Sequence, residues 1–176
     1  MIFINDLVNL ITCPYLLYAD DLKIYSTVRD FKDCLVLNRD LAIVANWCVP
    51  NKMSLNVEKC FVICFGSIKK KINYASSLNG IELQRKSVVR DLEIFFDDKL
   101  NFHYHYDQII LKSTQLLGFI FRSTKAFNNQ LSLIYLYCSL IRSVLEYGSV
   151  IWSLYYKVHS KRIGSVQNKF LKVLCY

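Results

Sequence analysis

Asp20 and Asp21 stand side by side in YLLYADDLKIY (residues 15–25), in a chain of 176 residues that carries only 14 acidic against 22 basic side chains. Two carboxylates held close repel unless a cation lies between them. A hard divalent ion such as Mg²⁺ is commonly held by one or two carboxylates together with substrate phosphates. The same pair is also ordinary turn chemistry, because aspartate readily starts a tight turn. Leu16, Leu17 and Tyr18 before the pair, and Leu22, Ile24 and Tyr25 after it in near-alternation, predict two β-strands with Ala19, Asp20 and Asp21 at the tip between them. Neighbouring strand residues point to opposite faces, so adjacent carboxylates converge only where the chain turns.

The other residues able to do chemistry are fewer. Seven cysteines at 13, 34, 48, 60, 64, 138 and 175 lack paired C-x-x-C spacing. They read neither as zinc ligands nor as a disulfide framework, and a reducing intracellular setting is expected, in cytoplasm or nucleus. His103 and His105 in FHYHY lie two apart, a spacing that on a helix splits them onto different faces. They are expected as partly exposed polar positions at a helix start rather than as metal ligands. The stretch GSIKKK, Gly66 to Lys71, reads as a solvated turn. No G-x-G-x-x-G, G-x-x-x-x-G-K-[ST] or G-x-S-x-G occurs, which excludes the usual dinucleotide, P-loop and hydrolase signatures.

The elements that must position the aspartates follow from periodicity. Asp30 is expected to cap a helix running to about Cys48, with Phe31, Cys34, Leu37, Leu41, Val44 and Trp47 at helical spacing and Pro50-Asn51 ending it. SLNVEKCFVICFG predicts a strand entered from a turn, and another strand is expected near Ile72 to Tyr74. Asn79-Gly80 predicts a hairpin back into IELQ, and VVRDLEIFFDD one further extended run. From Phe102 onward the pattern is helical: Ile109, Ile110, Leu116, Leu117 and Ile120; then Leu133, Leu136, Leu140 and Val144; then Ile163, Val166, Phe170 and Val173.

Charge divides along the same line. Residues 1–100 carry a net +1 and residues 101–176 a net +7. Lys112 and Arg122 fall on the first expected helix of the basic part, and Lys161, Arg162, Lys169 and Lys172 on the last. Positions 161, 165, 168, 169 and 172 form a polar or basic face turned away from the apolar stripe. A basic module beside an acidic turn suits an enzyme acting on a polyanion; the lysines could equally serve solubility alone. Hydrophobic residues make up 53% and mean hydropathy is +0.24, yet no stretch approaches the ~20 apolar residues of a membrane span. No membrane partner is expected, and the excess apolar surface predicts packing on further protein.

Tyr18-Ala19-Asp20-Asp21 on a hairpin resembles the catalytic signature of reverse transcriptases. FINDL (Phe3 to Leu7), YADDLKIY, LNVEKC (Leu55 to Cys60), VRDLEIFFDDKLNF (Val89 to Phe102), LGFIFR (Leu117 to Arg122) and LEYGSVIW (Leu145 to Trp152) fall in the order and roughly the spacing of non-LTR retrotransposon polymerases of the jockey type. The resemblance covers nearly the whole chain. It implies an α+β fold: a partial palm of β-hairpin, helix and short antiparallel strands over residues 1–100, then a mostly helical thumb-like region over 101–176. It further implies that Asp20 is a firm ligand of Mg²⁺ and Asp21 a looser one, that Tyr18 lies near the primer end, and that Lys59 lies near the triphosphate, placed to protonate the leaving group. NGIELQ sits near where primer-gripping hairpins are found. The implied partners are an RNA template, a DNA primer, and the palm and fingers segments of the parent polymerase.

The resemblance also marks departures. A further metal-binding aspartate and a Gln-Gly segment are expected upstream of FINDL in the family, and relatives continue beyond KFLKVLCY, so the chain reads as a truncated copy, inactive by itself. Glu93 stands in RDLEIFF where relatives have glycine, which predicts local backbone strain, and Leu154 follows IWS where proline is usual. Two alternatives to a polymerase segment stay open: a non-catalytic nucleic-acid-binding remnant, and an inert relic that associates through its apolar surface.

Overall fold

The computed structural model describes residues 4–66, 72–125, 129–153 and 157–174. The fold is mixed α+β, with short strand pairs and longer helices, and divides into two compact units, Met1–Ser87 and Val88–Tyr176. Among the described residues no helix is long and apolar enough to cross a membrane. The GSIKKK lysines, Leu154 and Cys175 lie outside the described residues.

In the first unit a short helix α1 (Asn5–Val8) leads to strands β1 (Tyr15–Tyr18) and β2 (Asp21–Ile24), which pair antiparallel. Helix α2 (Phe31–Cys48) follows as expected. Asp30 accepts from the N–H groups of Lys32 and Asp33, and the Asp33 carboxylate accepts in return from the Asp30 N–H, a reciprocal capping box. Val44 and Cys48 on its inner face meet Leu7, Leu22, Ile24 and Trp47. A second cluster joins Ala45 to Leu78 and Leu83.

The remaining strands of this unit are shorter than their sequence suggests. LNVEKC begins with a 3₁₀ turn, Val57–Lys59, because the Asn56 side chain accepts from the Lys59 N–H at 3.3 Å and holds the chain in a turn. Only Phe61–Val62 (β3) is a strand, and it pairs parallel with β6 (Gln84–Arg85). The strand expected at Ile72 to Tyr74 is irregular. Arg85 donates to the carbonyls of Ile72 and Tyr74, occupying acceptors that a neighbouring strand would use. The hairpin at Asn79-Gly80 forms as expected, between β4 (Ser77–Leu78) and β5 (Ile81–Glu82), with both turn residues at positive φ.

The second unit starts earlier than residue 101. VVRDLEIFFDD is not one extended run but two antiparallel strands, β7 (Val88–Asp91) and β8 (Ile94–Asp97). Ile94 packs with Phe102, Tyr106, Ile109 and Trp152, so the hairpin belongs with the helices. The chain reverses at Leu92 (φ 43°) and Glu93 (φ 67°). Two consecutive left-handed residues are what a two-residue hairpin turn demands and what side chains with a Cβ resist, so the strain expected at Glu93 has a physical reason. Glu93→Gly is expected to raise the stability of this unit by about 1 kcal/mol. The exposed Arg90–Glu93 ion pair lost with it is worth less than that. Chemical denaturation of the two proteins checks the sign; a destabilised variant would contradict the strain.

Asp97 then organises the entry into helix α3 (His103–Ser123). Its carboxylate accepts from the N–H groups of Lys99 (3.0 Å), Asn101 (3.2 Å) and Phe102 (2.7 Å), which lets the chain turn with Phe102 at φ 57° and buried. The next helical stretch comprises α4 (Gln130–Leu136), a π-helical segment Tyr137–Arg142, and α5 (Ser143–Glu146). The wider π turn moves the inward stripe to Tyr137, Ile141 and Leu145, and Leu140, expected in the core, is exposed. Helices α6 (Ser149–Trp152) and α7 (Lys157–Leu174) complete the unit. Tyr137, Ile141, Leu145, Val166 and Phe170 form its main core with Leu117 and Ile120. Val173, also expected inside, is exposed; Leu174, four residues beyond Phe170, takes the inward position.

Candidate functional site

The register of the first hairpin decides what its aspartates can do. Tyr18 pairs with Asp21, Leu17 with Leu22, Leu16 with Lys23 and Tyr15 with Ile24. Opposed residues share a face, so Leu17, Leu22 and Ile24 lie on one side, the last two against α2, and Tyr18, Asp21 and Leu16 on the other. Ala19 and Asp20 form the two-residue turn, Ala19 at φ 53°. Both carboxylates are exposed and so is Tyr18. Neither aspartate is drawn into an ion pair or hydrogen bond among the described residues.

The base of the hairpin is held by a residue that the sequence reading passed over. Asp40 on α2 is fully buried, and its carboxylate accepts from the N–H of Thr12 at 2.9 Å, the hydroxyl of Thr12 at 3.0 Å and the N–H of Cys13 at 2.6 Å. Burial works to raise its pKa, but these donors outweigh it and hold the carboxyl below its ordinary value. The Tyr25 N–H closes the hairpin onto the Pro14 carbonyl at 2.9 Å. The available signal was position: Asp40 falls three residues after Leu37 and four before Val44, on the apolar face of the helix.

As a metal site the hairpin tip offers hard oxygen donors of the kind Mg²⁺ takes. It offers two carboxylates; among the described residues no three His, Cys, Asp or Glu side chains are gathered for a metal ion. Lys59 is exposed at the end of its 3₁₀ turn, and no hydrogen bond or ion pair among the described residues joins it to the hairpin. A cavity of about 370 Å³ in the same unit lies elsewhere, lined by Val62, Tyr74, Ser76, Glu82, Leu83 and Arg85.

In the second unit, Lys161, Lys169 and Lys172 are exposed along one face of α7, with Ser165 and Asn168 between them, and opposite the buried stripe of Val166 and Phe170. Arg162 lies off that face. Its guanidinium donates to the Asp107 carboxylate of α3 at 2.6 Å, which leaves it a helix-to-helix tie. Lys112 and Arg122 are exposed on α3, Arg122 folded back beside Gly118.

Of the two histidines, one departs from expectation. His103 is exposed, but His105 is buried between Phe95 and Trp152, with Nδ1 accepting the Phe95 N–H at 3.3 Å. Two residues on from His103 is more than half a helical turn, which carries His105 onto the face shared with Ile109. Burial lowers its pKa, keeping the imidazole neutral. His159, which sequence reasoning missed, lies buried on α7 against Tyr106. Its place four residues before Ile163, on the apolar stripe, was the only signal.

The two units thus present an exposed acidic hairpin tip and, separately, a basic helical face. No family model, curated protein or solved structure matches the chain.

Proposed function

We propose that the chain is a segment of an RNA-directed DNA polymerase of the non-LTR retrotransposon kind, with the first unit as partial palm and the second as thumb. The observation that carries this reading is the register of the YADD hairpin: Tyr18 opposite Asp21 as the last pair, Asp20 in the turn, and both carboxylates exposed with no side-chain partner among the described residues. Asp20 and Asp21 are the residues that hold Mg²⁺, which when bound supplies activation of a primer 3′-hydroxyl and neutralisation of the departing pyrophosphate. Lys161, Lys169 and Lys172 grip template–primer phosphates without reading bases. Tyr18 stands at the primer end, Lys59 serves the triphosphate, and Lys112 and Arg122 extend the phosphate contacts. Two carboxylates are fewer than a two-metal site uses, which favours a second reading in which the chain by itself binds nucleic acid without catalysis.

Two measurements test the proposal. Titration of a labelled RNA–DNA hybrid at several salt concentrations should show weak, sequence-indifferent binding that falls steeply with salt. Charge reversal of Lys161, Lys169 and Lys172 should reduce the log–log salt slope by about 3. Asp20→Ala should leave that binding unchanged. Mn²⁺ should broaden the NMR signals of Tyr18 to Asp21 in the parent protein and not in an Asp20→Ala, Asp21→Ala double variant. Salt-insensitive binding, or broadening that persists in the double variant, would leave the polymerase reading without support.

A further inference from the structure

His103 opens α3 and His159 lies in the first turn of α7, 56 residues apart in the chain. Nδ1 of the first and Nε2 of the second are 2.8 Å apart, with ring centroids at 4.8 Å and planes inclined by 54°. With one hydrogen between them the two imidazoles make a hydrogen bond. Two nitrogens each ~2.0 Å from one ion, and at right angles to each other, also lie ~2.8 Å apart. We propose that His103 and His159 form a binding site for an imidazole-seeking divalent transition metal ion, of the Zn²⁺, Co²⁺ and Ni²⁺ class, that ties α3 to α7.

The two ligands differ in a way that suits capture. His159 is only 3% exposed, and its ring stacks on Tyr106 at 3.9 Å and 6°, so its orientation is set before any ion arrives. His103 is exposed and can withdraw the ~0.5 Å that a tetrahedral ion, with nitrogens ~3.3 Å apart, requires. Asp107 lies one helical turn after His103 and is held by Arg162 at 2.6 Å. The site is independent of the polymerase reading.

Co²⁺ is the probe, because its visible bands report the ligands. The full chain should bind one Co²⁺, displaceable by Zn²⁺, with d–d bands and no thiolate-to-cobalt charge-transfer absorption. Zn²⁺ should raise the melting temperature of the parent protein. His103→Ala removes the partner of the buried His159 and should lower the metal-free melting temperature, but it should also abolish the Zn²⁺-induced rise and weaken Co²⁺ binding by about tenfold or more. A thiolate band, binding that survives His103→Ala, or the absence of stoichiometric binding would overturn the assignment.

Discussion

Phe170→Ala is expected to destabilise the helical unit by about 3–5 kcal/mol, the range for removing a large aromatic from a packed core. Phe170 is buried and lies nearly parallel to Tyr137, ring centroids 4.3 Å apart at 14°. It shares its cluster with Ile120, Ile141 and Val166, which are essentially inaccessible and have no room to collapse into the space left behind. The stacked pair contributes about 1 kcal/mol beyond area burial. Denaturation followed by Trp152 fluorescence, in a Trp47→Phe background, isolates this unit, since Trp152 lies in it and Trp47 in the other. A loss under 1 kcal/mol would mean that α7 is not docked by this residue. Because the basic face of α7 is defined by which side is buried, undocking should also flatten the salt dependence of nucleic-acid binding.

Asp40→Ala should cost the hairpin unit about 3 kcal/mol. The substitution strands the buried N–H of Cys13, at a cost of about 1–3 kcal/mol, and leaves the part-buried N–H of Thr12 without its acceptor. The Thr12 hydroxyl loses the same acceptor. The residues set free are those that lead directly into β1, so the YADD tip loses its footing although no residue at the tip has changed. The parent protein should carry a matching acid signature. A carboxyl whose folded pKa is below its unfolded value contributes stability that is fully present above the unfolded pKa of about 3.9 and is lost as pH falls through the folded one. Denaturation midpoints of parent and variant, measured from neutral pH downward, should converge in that acid range; a gap that stays constant with pH would show that the ionised carboxylate is not the source.

Much of the fold was legible because it is locally encoded. The α2 boundaries follow from Asp30 and Pro50, the hairpin tip at 79–80 from Asn-Gly, and the one at 19–20 from the aspartates between two near-alternating apolar runs, since capping and turn formation involve groups within four residues of each other. The misses come from a local cap, a distant partner and a shift of helical phase. Val57–Lys59 turns because Asn56 reaches over it, Ile72 to Tyr74 stays irregular because Arg85 takes its carbonyls, and Leu140 leaves the core because a π turn shifts the stripe. Each depends on a partner or a helical phase that periodicity does not register.

By itself the amino-acid sequence determined helix α2, the strand reversals at 19–20 and 79–80, the exposed aspartate pair at the first of them, and the opposition of lysines to the apolar stripe on α7. All are consequences of backbone geometry, with its two-residue and 3.6-residue periods, acting on side-chain polarity. Only the tertiary structure decided which charges are spent inside. Asp40 holds Thr12 and Cys13, Asp97 turns the chain into α3, Arg162 is committed to Asp107, and His159 meets His103. Burying a polar group is tolerated only when a specific donor or acceptor meets it, and for Asp40 and His159 that partner lies 27 and 56 residues away. Polarity is written in the sequence; the pairing that makes its burial affordable exists only once the chain has folded.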